Sequence, residues 1–329
     1  MQPFLPALFY PPMHILLVKT SSLGDVIHNL PVVSDLRRTF PEARIDWCVE
    51  EAFADIPRLH PEISKVIPLA LRRWRKALGK LSTWREIGVF RRTLAGTTYD
   101  TILDTQGLIK SGLITRLARG HRYGYAAEVA REPLAARFYD ETFVIPPNAH
   151  AVERNRWLGA AAFDYPVDLP LDYGIASPRL DFPWLAEKPY VVLFTASSRD
   201  DKLWDETHWI EVANALVNRG LTPIFPSGNA RELERATRIA ASLPEAIAAP
   251  QLCLRELAAL IGNARLTIGV DTGLAHLATA LGVPTIALYI TTDPALTGVY
   301  GTGFFRNLGT KGHAPSVDDV LAVAEQALR

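Results

Sequence analysis

The chain has 329 residues, of which 48% are hydrophobic and 21% charged, with 35 basic and 35 acidic side chains. This length suits two domains that each bury a core, and the composition is that of an ordinary globular enzyme. A formal net charge of zero argues against a nucleic-acid-binding protein. Cys48 and Cys253 lie in separate apolar runs, which favours two buried thiols in a reducing compartment over a disulfide.

The first twelve residues are apolar and contain prolines, but they lack the basic start, long apolar core and cleavage site of a secretory signal. We therefore predict a disordered leader over 1–12. No apolar run approaches the ~20 residues that cross a bilayer, so membrane contact should be peripheral.

Short apolar segments alternate with helical patterns along the rest of the chain. The predicted strands are His14–Val18, Arg44–Glu50, Lys65–Ala70, Asp100–Thr105, His121–Tyr125, Phe143–Pro146, Tyr190–Ala196, Thr222–Pro226, Leu266–Val270 and Pro284–Ile290. This alternation predicts an α/β protein with parallel sheets covered by helices, and two such units in tandem face each other across a cleft. The proline-rich stretch 166–187 separates an N-terminal domain (13–165) from a C-terminal domain (188–329).

Helix limits follow from local signals. Pro31 should interrupt the first helix, and a helix is predicted over 111–119. Gly220 and Gly282 are expected to end two helices of the second half. The final helix, 317–328, is amphipathic and can pack on either domain.

The loop Lys19–His28 follows the first strand and opens a helix with small residues. Its backbone can approach a ligand closely, and free N–H groups at a helix start favour anions. Asp25 lies at that helix start, where a carboxylate commonly serves only as a cap. From this stretch alone both interpretations of Asp25 stay open, as do ligand contact and core packing for His28.

Three further polar segments follow predicted strands: Ser197–Lys202, Ser227–Glu234 and Asp271–His276. The N–H groups after Asp271 can hold a phosphate, and Lys202 can add a positive charge. A plain cap at Asp271 and a solvated Lys202 are the simpler alternatives. No P-loop, GxGxxG, HExxH or GxSxG motif occurs, so the usual signatures of kinases, nicotinamide enzymes, zinc proteases and serine hydrolases are lacking, and we predict no metal site.

A basic segment stands out in the first half. Thirteen Arg or Lys residues face four Asp or Glu between Arg72 and Arg131, and the densest part is Arg72–Lys80 around Trp74. A charge run is most often a solvated surface. It can also hold an anionic partner.

Seven fragments resemble, in order and spacing, those of the lipopolysaccharide heptosyltransferases of glycosyltransferase family 9. They are KTSSLGDVIHNLP, WCVEEAFADIPRLHP, VIPLALRRWRK, LDTQGLIKS, REPLAARFY, SSRDDKLW and VDTGLAHL. The resemblance implies the GT-B fold and inverting transfer of L-glycero-D-manno-heptose from ADP-heptose to the first Kdo of Kdo2-lipid A. The enzyme that adds the second heptose is not expected to carry KTSSxGD.

The resemblance also implies a peripheral position at the cytoplasmic face of the inner membrane, no cofactor beside the ADP-heptose donor, and no nucleic acid. It makes Asp25 the catalytic base and Lys202 the cation at the donor phosphates. The implied donor-binding residues are Ser197, Ser198, Glu232, Leu252, Asp271, Thr272, Gly273 and His276. We assign the lipid acceptor, which carries carboxylates and phosphates, and the anionic membrane surface to Ser22, Gly24, Arg72, Arg73, Arg75 and Lys76.

This chain departs from the family at 290–294, where Ile-Thr-Thr-Asp-Pro replaces the usual Gly-Pro-Thr-Asp-Pro. Three alternatives remain at this stage: a second-heptose transferase, a nucleotide-sugar epimerase of the same fold, and a non-catalytic nucleotide-sugar-binding protein. An epimerase needs no basic acceptor surface, and a binding protein needs no base at Asp25.

Overall fold

The computed structural model describes residues 13–197 and 199–329. The predicted leader over 1–12 and the candidate donor residue Ser198 lie outside the described residues. Contacts divide the chain into two compact units. The first unit takes in the chain up to Ser21, Asn29–Pro147 and Arg154–Asp172, and the second takes in Ser22–His28, Asn148–Glu153 and Tyr173–Arg329.

Each unit contains one six-stranded parallel sheet. The strands of the first sheet are His14–Val18 (β1), Arg44–Glu50 (β2), Ile63–Leu69 (β3), Thr98–Asp104 (β4), Arg119–Tyr125 (β5) and Glu141–Phe143 (β6). Those of the second sheet are Tyr190–Phe194 (β7), Thr222–Phe225 (β8), Ile247–Ala248 (β9), Leu266–Val270 (β10), Thr285–Leu288 (β11) and Phe305–Leu308 (β12). The strand orders are β3-β2-β1-β4-β5-β6 and β12-β11-β10-β7-β8-β9.

Both orders reverse direction beside the first strand of the sheet, between β1 and β4 and between β7 and β10. Ligands of open α/β sheets bind in the crevice at the carboxyl ends of the strands at such a reversal. The segments that follow β7 and β10 therefore occupy the expected binding position of the second unit.

Helices connect the strands. They are Leu23–Ile27 (α1), Leu30–Thr39 (α2), Asp55–Arg58 (α3), Leu71–Lys76 (α4), Leu81–Ala95 (α5), Ile109–Thr115 (α6), Ala151–Phe163 (α7), Glu206–Val217 (α8), Ala230–Ala240 (α9), Leu254–Gly262 (α10), Gly273–Ala280 (α11) and Val317–Ala327 (α12). Pro31 occupies the first turn of α2, where its missing N–H costs nothing, so the predicted interruption is confirmed. Gly220 and Gly282 end α8 and α11 with φ of +77° and +76°.

Each sheet has an apolar core. β1 is fully buried from Ile15 to Val18, as expected of a central parallel strand. In the second unit Val320 and Ala324 of α12 join the core that includes Leu193 and Ile268. The last helix therefore packs on the second sheet.

Several sequence-based expectations were wrong in detail. The helix predicted over 111–119 ends at Thr115, because Arg119 pairs with Thr98 in the ladder between β4 and β5. Two strands were missed: β9 has only two residues, and β12 contains Arg306 and Asn307 and so lacks an apolar run. Cys48 is buried as predicted, but Cys253 is exposed because it is the N-cap residue of α10.

Candidate active site

The loop after β1 carries the proposed base. Ser22 is the N-cap residue of α1, and Asp25 Oδ2 accepts hydrogen bonds from the Ser22 N–H at 2.7 Å and from its hydroxyl at 3.1 Å. Asp25 therefore does cap the helix.

Two glycines allow α1 to lie close to α11 within the second unit. A Cβ at Gly273 would lie 2.6 Å from Leu23 Cγ, and a Cβ at Gly24 would lie 3.1 Å from His276 Cδ2. Any larger residue at Gly273 would force the two helices apart. The structure thus brings Ser22, Gly24 and Asp25 next to the Gly273–His276 segment.

Asp271 is the centre of a polar cluster at the carboxyl end of β10. Its Oδ2 lies 2.6 Å from Lys202 Nζ and accepts a hydrogen bond from the Thr292 hydroxyl at 2.8 Å. The Ser197 hydroxyl donates to the Asp271 carbonyl oxygen at 3.0 Å. The side chains of Lys202 and Asp271 are only 16% and 15% exposed, so Lys202 is not a solvated surface lysine. Asp271 is not a plain helix cap either, because Thr272 is the N-cap residue of α11.

Thr292 was not predicted as a site residue. It belongs to the 290–294 segment that departs from the family pattern, and its hydroxyl shares Asp271 with Lys202. The only available signal was its position four residues after β11, at the same sheet edge as Asp271.

Three buried histidines form a second cluster. His28 Nε2 and His276 Nδ1 are 3.0 Å apart, and the His28 ring lies 5.3 Å from the His150 ring. His150 Nε2 donates to the Gly298 carbonyl at 3.0 Å, and Tyr300 stacks on its ring at 4.6 Å. Burial lowers the pKa of His276 to about 4, so this imidazole is neutral near pH 7.

The neutral His276 fixes hydrogen placement in the pair, because one of the two facing nitrogens must donate and the other accept. His28 thus holds the His276 ring in one orientation behind Gly24. Ligand contact and core packing were the two interpretations of His28. The structure favours the second, because His28 is buried and its ring supports the candidate site residue His276. His150 and Tyr300 were missed, since nothing in the sequence links them to His28.

Glu232 and Leu252 lie on neighbouring elements. Glu232 is in the first turn of α9, and its carboxylate accepts hydrogen bonds from the N–H of Gly228 and the side-chain amide of Asn229, both at 2.7 Å. Leu252 is half-buried just before α10. Within 13–197 and 199–329, no hydrogen bond or ion pair joins Glu232 to the Asp271 cluster.

The basic strip at α4, defined as Arg72, Arg73, Arg75 and Lys76, lies in the first unit. Arg73 is already neutralised: it makes a two-bond ion pair with Glu51 at 3.0 Å and another ion pair with Glu86 at 2.8 Å. The guanidinium of Arg72 lies 5.1 Å from the centre of the Phe53 ring. Arg75 and Lys76 are also exposed, and within 13–197 and 199–329 neither side chain forms an ion pair.

The described part of the chain offers neither a metal site nor a membrane-spanning helix. No group of three His, Cys, Asp or Glu side chains within it is arranged to hold a metal ion. Across the same residues, no helix has the length and apolar content needed to cross a bilayer.

Comparison with known proteins agrees with the fold. Residues 87–322 match the model of glycosyltransferase family 9 (heptosyltransferase). Lipopolysaccharide heptosyltransferase 1 of Pseudomonas aeruginosa is 44% identical over 295 residues, covering 88% of this chain and 82% of that protein. The protein of the same name in Salmonella typhimurium is 43% identical and covers 88% and 92%. The structure of E. coli heptosyltransferase WaaC with ADP superposes with a TM-score of 0.89 at 38% identity, over 96% of this chain and 100% of that one.

The chain therefore belongs to glycosyltransferase family 9, the heptosyltransferases. The GT-B type of fold, the enzyme class and heptosyl transfer from ADP-heptose in lipopolysaccharide core synthesis, all expected from the sequence fragments, are confirmed.

Proposed function

We propose that this enzyme transfers L-glycero-D-manno-heptose from ADP-heptose to the first Kdo of Kdo2-lipid A, with inversion at the anomeric carbon. The proposal rests on one observation above all: Asp25 and the Lys202–Asp271–Thr292 cluster are assembled in a single compact unit. Such a unit supplies both a base and a cation for one displacement. In this scheme the second unit binds the ADP-sugar and also carries the acceptor residues Ser22 and Gly24, and the basic strip of the first unit binds the lipid acceptor.

The reaction is a single displacement. The Kdo hydroxyl oxygen attacks the anomeric carbon, the bond from that carbon to the ADP phosphate oxygen breaks, and Asp25 takes the hydroxyl proton. ADP leaves with the electron pair of the broken bond, so negative charge grows on its terminal phosphate. A nearby cation that is already in place stabilises this charge most.

Lys202 supplies that cation. Its ammonium group is held at 2.6 Å by Asp271, so it is ordered before the donor arrives. A diphosphate then competes with Asp271 for the ammonium protons, and the Thr292 hydroxyl keeps Asp271 hydrogen-bonded meanwhile. The N–H groups at the start of α11, together with Ser197 and Ser198, complete the donor phosphate site, with Glu232 at the ribose and Leu252 at the adenine.

Asp25 is the base that receives the acceptor proton in this scheme. Deprotonation is thus concerted with attack, because a Kdo hydroxyl loses its proton readily only as its oxygen forms the new bond. The enzyme acts peripherally at the cytoplasmic face of the inner membrane, where the lipid acceptor presents its sugars.

One assay separates the proposal from its alternatives. ADP release from ADP-heptose is measured without acceptor, with Kdo2-lipid A, and with heptosyl-Kdo2-lipid A. The molecular mass of the lipid product is measured by mass spectrometry. We expect ADP release and a one-heptose mass increase only with Kdo2-lipid A. A preference for the heptosylated lipid would indicate a second-heptose transferase, conversion of the sugar without acceptor an epimerase, and binding without turnover a sensor.

A further inference from the structure

The outward side of α5 exposes apolar residues. Leu81, Trp84 and Val89 are 67%, 57% and 54% exposed, although the opposite side of the same helix buries Phe90 and Leu94 in the core of the first unit. Large exposed apolar groups clustered on one helix side commonly mark an interaction surface. We call this set, with Arg85 and Arg92 beside it, the α5 face.

Trp84 is fixed in a defined pose. Its Nε1–H donates to the Leu78 carbonyl at 2.8 Å, which ties the start of α5 to the turn that precedes it. Leu78 is itself 50% exposed. The polar edge of the indole is therefore satisfied by the protein, and the hydrocarbon part of the ring remains outside. This arrangement suits insertion into an apolar layer more than hydrogen bonding to a polar partner.

An arginine cavity lies alongside the α5 face. It has a volume of about 450 Å³ and is lined by Gly88, Arg91, Arg92, Ala95, Arg116 and Leu117. Its lining contains three guanidinium groups and no carboxylate. In the described ranges none of these three groups forms a hydrogen bond or ion pair, in contrast to Arg73 and Arg122 of the same unit, which are paired with acids.

Three uncompensated arginines at one cavity repel one another, and an anion would relieve that repulsion. Guanidinium groups hold phosphate oxygens through paired N–H bonds. Leu113 of α6, 53% exposed, extends the apolar surface on the same short helix that leads to Arg116. Apolar anchors and phosphate-binding charges thus occur together.

We propose that the α5 face docks on an anionic phospholipid surface, with lipid phosphates in the arginine cavity and Leu81 and Trp84 in the interfacial layer. Interfacial helices combine Trp or Leu with Arg or Lys in this way, and Trp is enriched at the headgroup level. The inference deepens the proposed function by naming the surface that brings the enzyme to its lipid acceptor, and its residues are different from those of the basic strip at α4.

The test is flotation of the full-length enzyme with vesicles that contain no acceptor. One set is phosphatidylethanolamine with phosphatidylglycerol, and the other is phosphatidylcholine alone. We expect binding to the anionic vesicles that weakens as salt rises. Trp84→Ser should weaken it about tenfold, and Arg91→Gln and Arg92→Gln about fivefold each. Val144→Ser and Arg179→Gln, exposed residues elsewhere, are the matched controls and should bind as wild type does.

Fluorescence gives a second readout. We expect the tryptophan emission of the wild type to shift to the blue on vesicle binding. Trp84→Phe keeps an apolar ring, so this variant should still float, but it should lose that shift. Equal flotation of wild type and the Trp84→Ser and arginine variants would overturn the proposal. So would failure of the wild type to bind the acceptor-free anionic vesicles, or equal binding to the neutral vesicles.

Turnover with detergent-dispersed Kdo2-lipid A separates this inference from the proposed function. We expect the α5-face variants to retain wild-type turnover there, because none of the substituted residues contacts the candidate active site. Absent heptosyl transfer by wild type would refute the proposed function while leaving the vesicle result to decide the docking surface.

Discussion

Asp25 holds the start of α1 through Ser22, and the same carboxylate is our proposed base. In Asp25→Asn the amide oxygen can still accept from the Ser22 N–H, so the thermal unfolding midpoint should change little. Heptosyl transfer should fall by at least ~10² because an amide cannot take the hydroxyl proton. Steady-state turnover and thermal unfolding of the variant check both expectations.

Asp319 provides a matched control for this substitution. Its carboxylate caps α12 in the same way, accepting from the Ser316 N–H at 3.0 Å and from the Ser316 hydroxyl at 2.6 Å. Asp319→Asn should therefore have a similar effect on stability without slowing transfer. If Asp25→Asn turns over as fast as Asp319→Asn does, Asp25 is a cap and nothing more.

Lys202→Ala removes the cation proposed to meet the leaving ADP. Losing one preorganised donor of this kind costs on the order of 3 kcal/mol in the transition state, so turnover should fall by roughly 10². Lys188→Ala is the control, because Lys188 pairs with Glu245 at 3.7 Å on the exposed surface. Turnover of Lys202→Ala within twofold of wild type would exclude the role.

Which site residues the sequence could identify depends on how local their signal is. Lys202, Asp271 and Gly273 stand beside predicted strand ends, so their positions at one sheet edge followed from the parallel fold. Thr292 donates a hydrogen bond to Asp271, and the His150 ring contacts the ring of His28. Both partners are distant in the sequence. No local pattern encodes such pairs, because the contact exists only after the sheet has formed.

At the scale of elements, α4 illustrates how neighbours alter a charge run. Arg73 is held by Glu51 and Glu86, so Arg75 and Lys76 are the better probes of the acceptor strip. Reversing both to Glu should raise the acceptor KM and flatten its salt dependence, while the KM for ADP-heptose stays unchanged. Kinetics at low and high salt measure both constants.

Lys65→Glu, an exposed charge reversal on β3, serves as the control for this pair. It should leave the acceptor KM close to that of wild type. The acceptor-site assignment fails if the Lys65 variant and the Arg75/Lys76 variant raise the acceptor KM equally, or if donor affinity falls along with acceptor affinity.

Strands were predictable where burial dictates composition. β1, β2 and β10 have the limits expected from their apolar runs, since a central parallel strand is covered on both faces. β12 borders β11 at the edge of its sheet, and its polar Arg306 and Asn307 give no such run. Its pairing comes from backbone hydrogen bonds that any sequence can make, so composition could not reveal it.

At the scale of the whole molecule, buried histidines link stability to pH. Burial lowers the pKa of His60 and of His276 to about 4, below the usual 6.5, so the unfolded chain binds more protons between these values. Their stabilising contribution is complete above about pH 6.5 and is lost as pH falls towards 4. The thermal unfolding midpoint should therefore decline over this interval.

His60→Gln isolates one of these contributions. His60 Nδ1 accepts from the Glu62 N–H at 3.2 Å and Nε2 faces the Ser34 hydroxyl at 3.1 Å, positions that a neutral amide can partly fill. The variant should lose less stability than wild type between pH 6.5 and 4, whereas exposed His313→Gln should follow wild type. Parallel pH curves for all three proteins would contradict the linkage.

The unequal burial of the two cysteines has a practical consequence. Cys48 is sealed in the first core and Cys253 is exposed next to Leu252, the proposed adenine contact. A maleimide dye should consequently attach at one position on the native enzyme, without any engineered thiol. Placed there, the dye becomes a reporter whose emission follows nucleotide arrival and departure in real time, independently of sugar transfer.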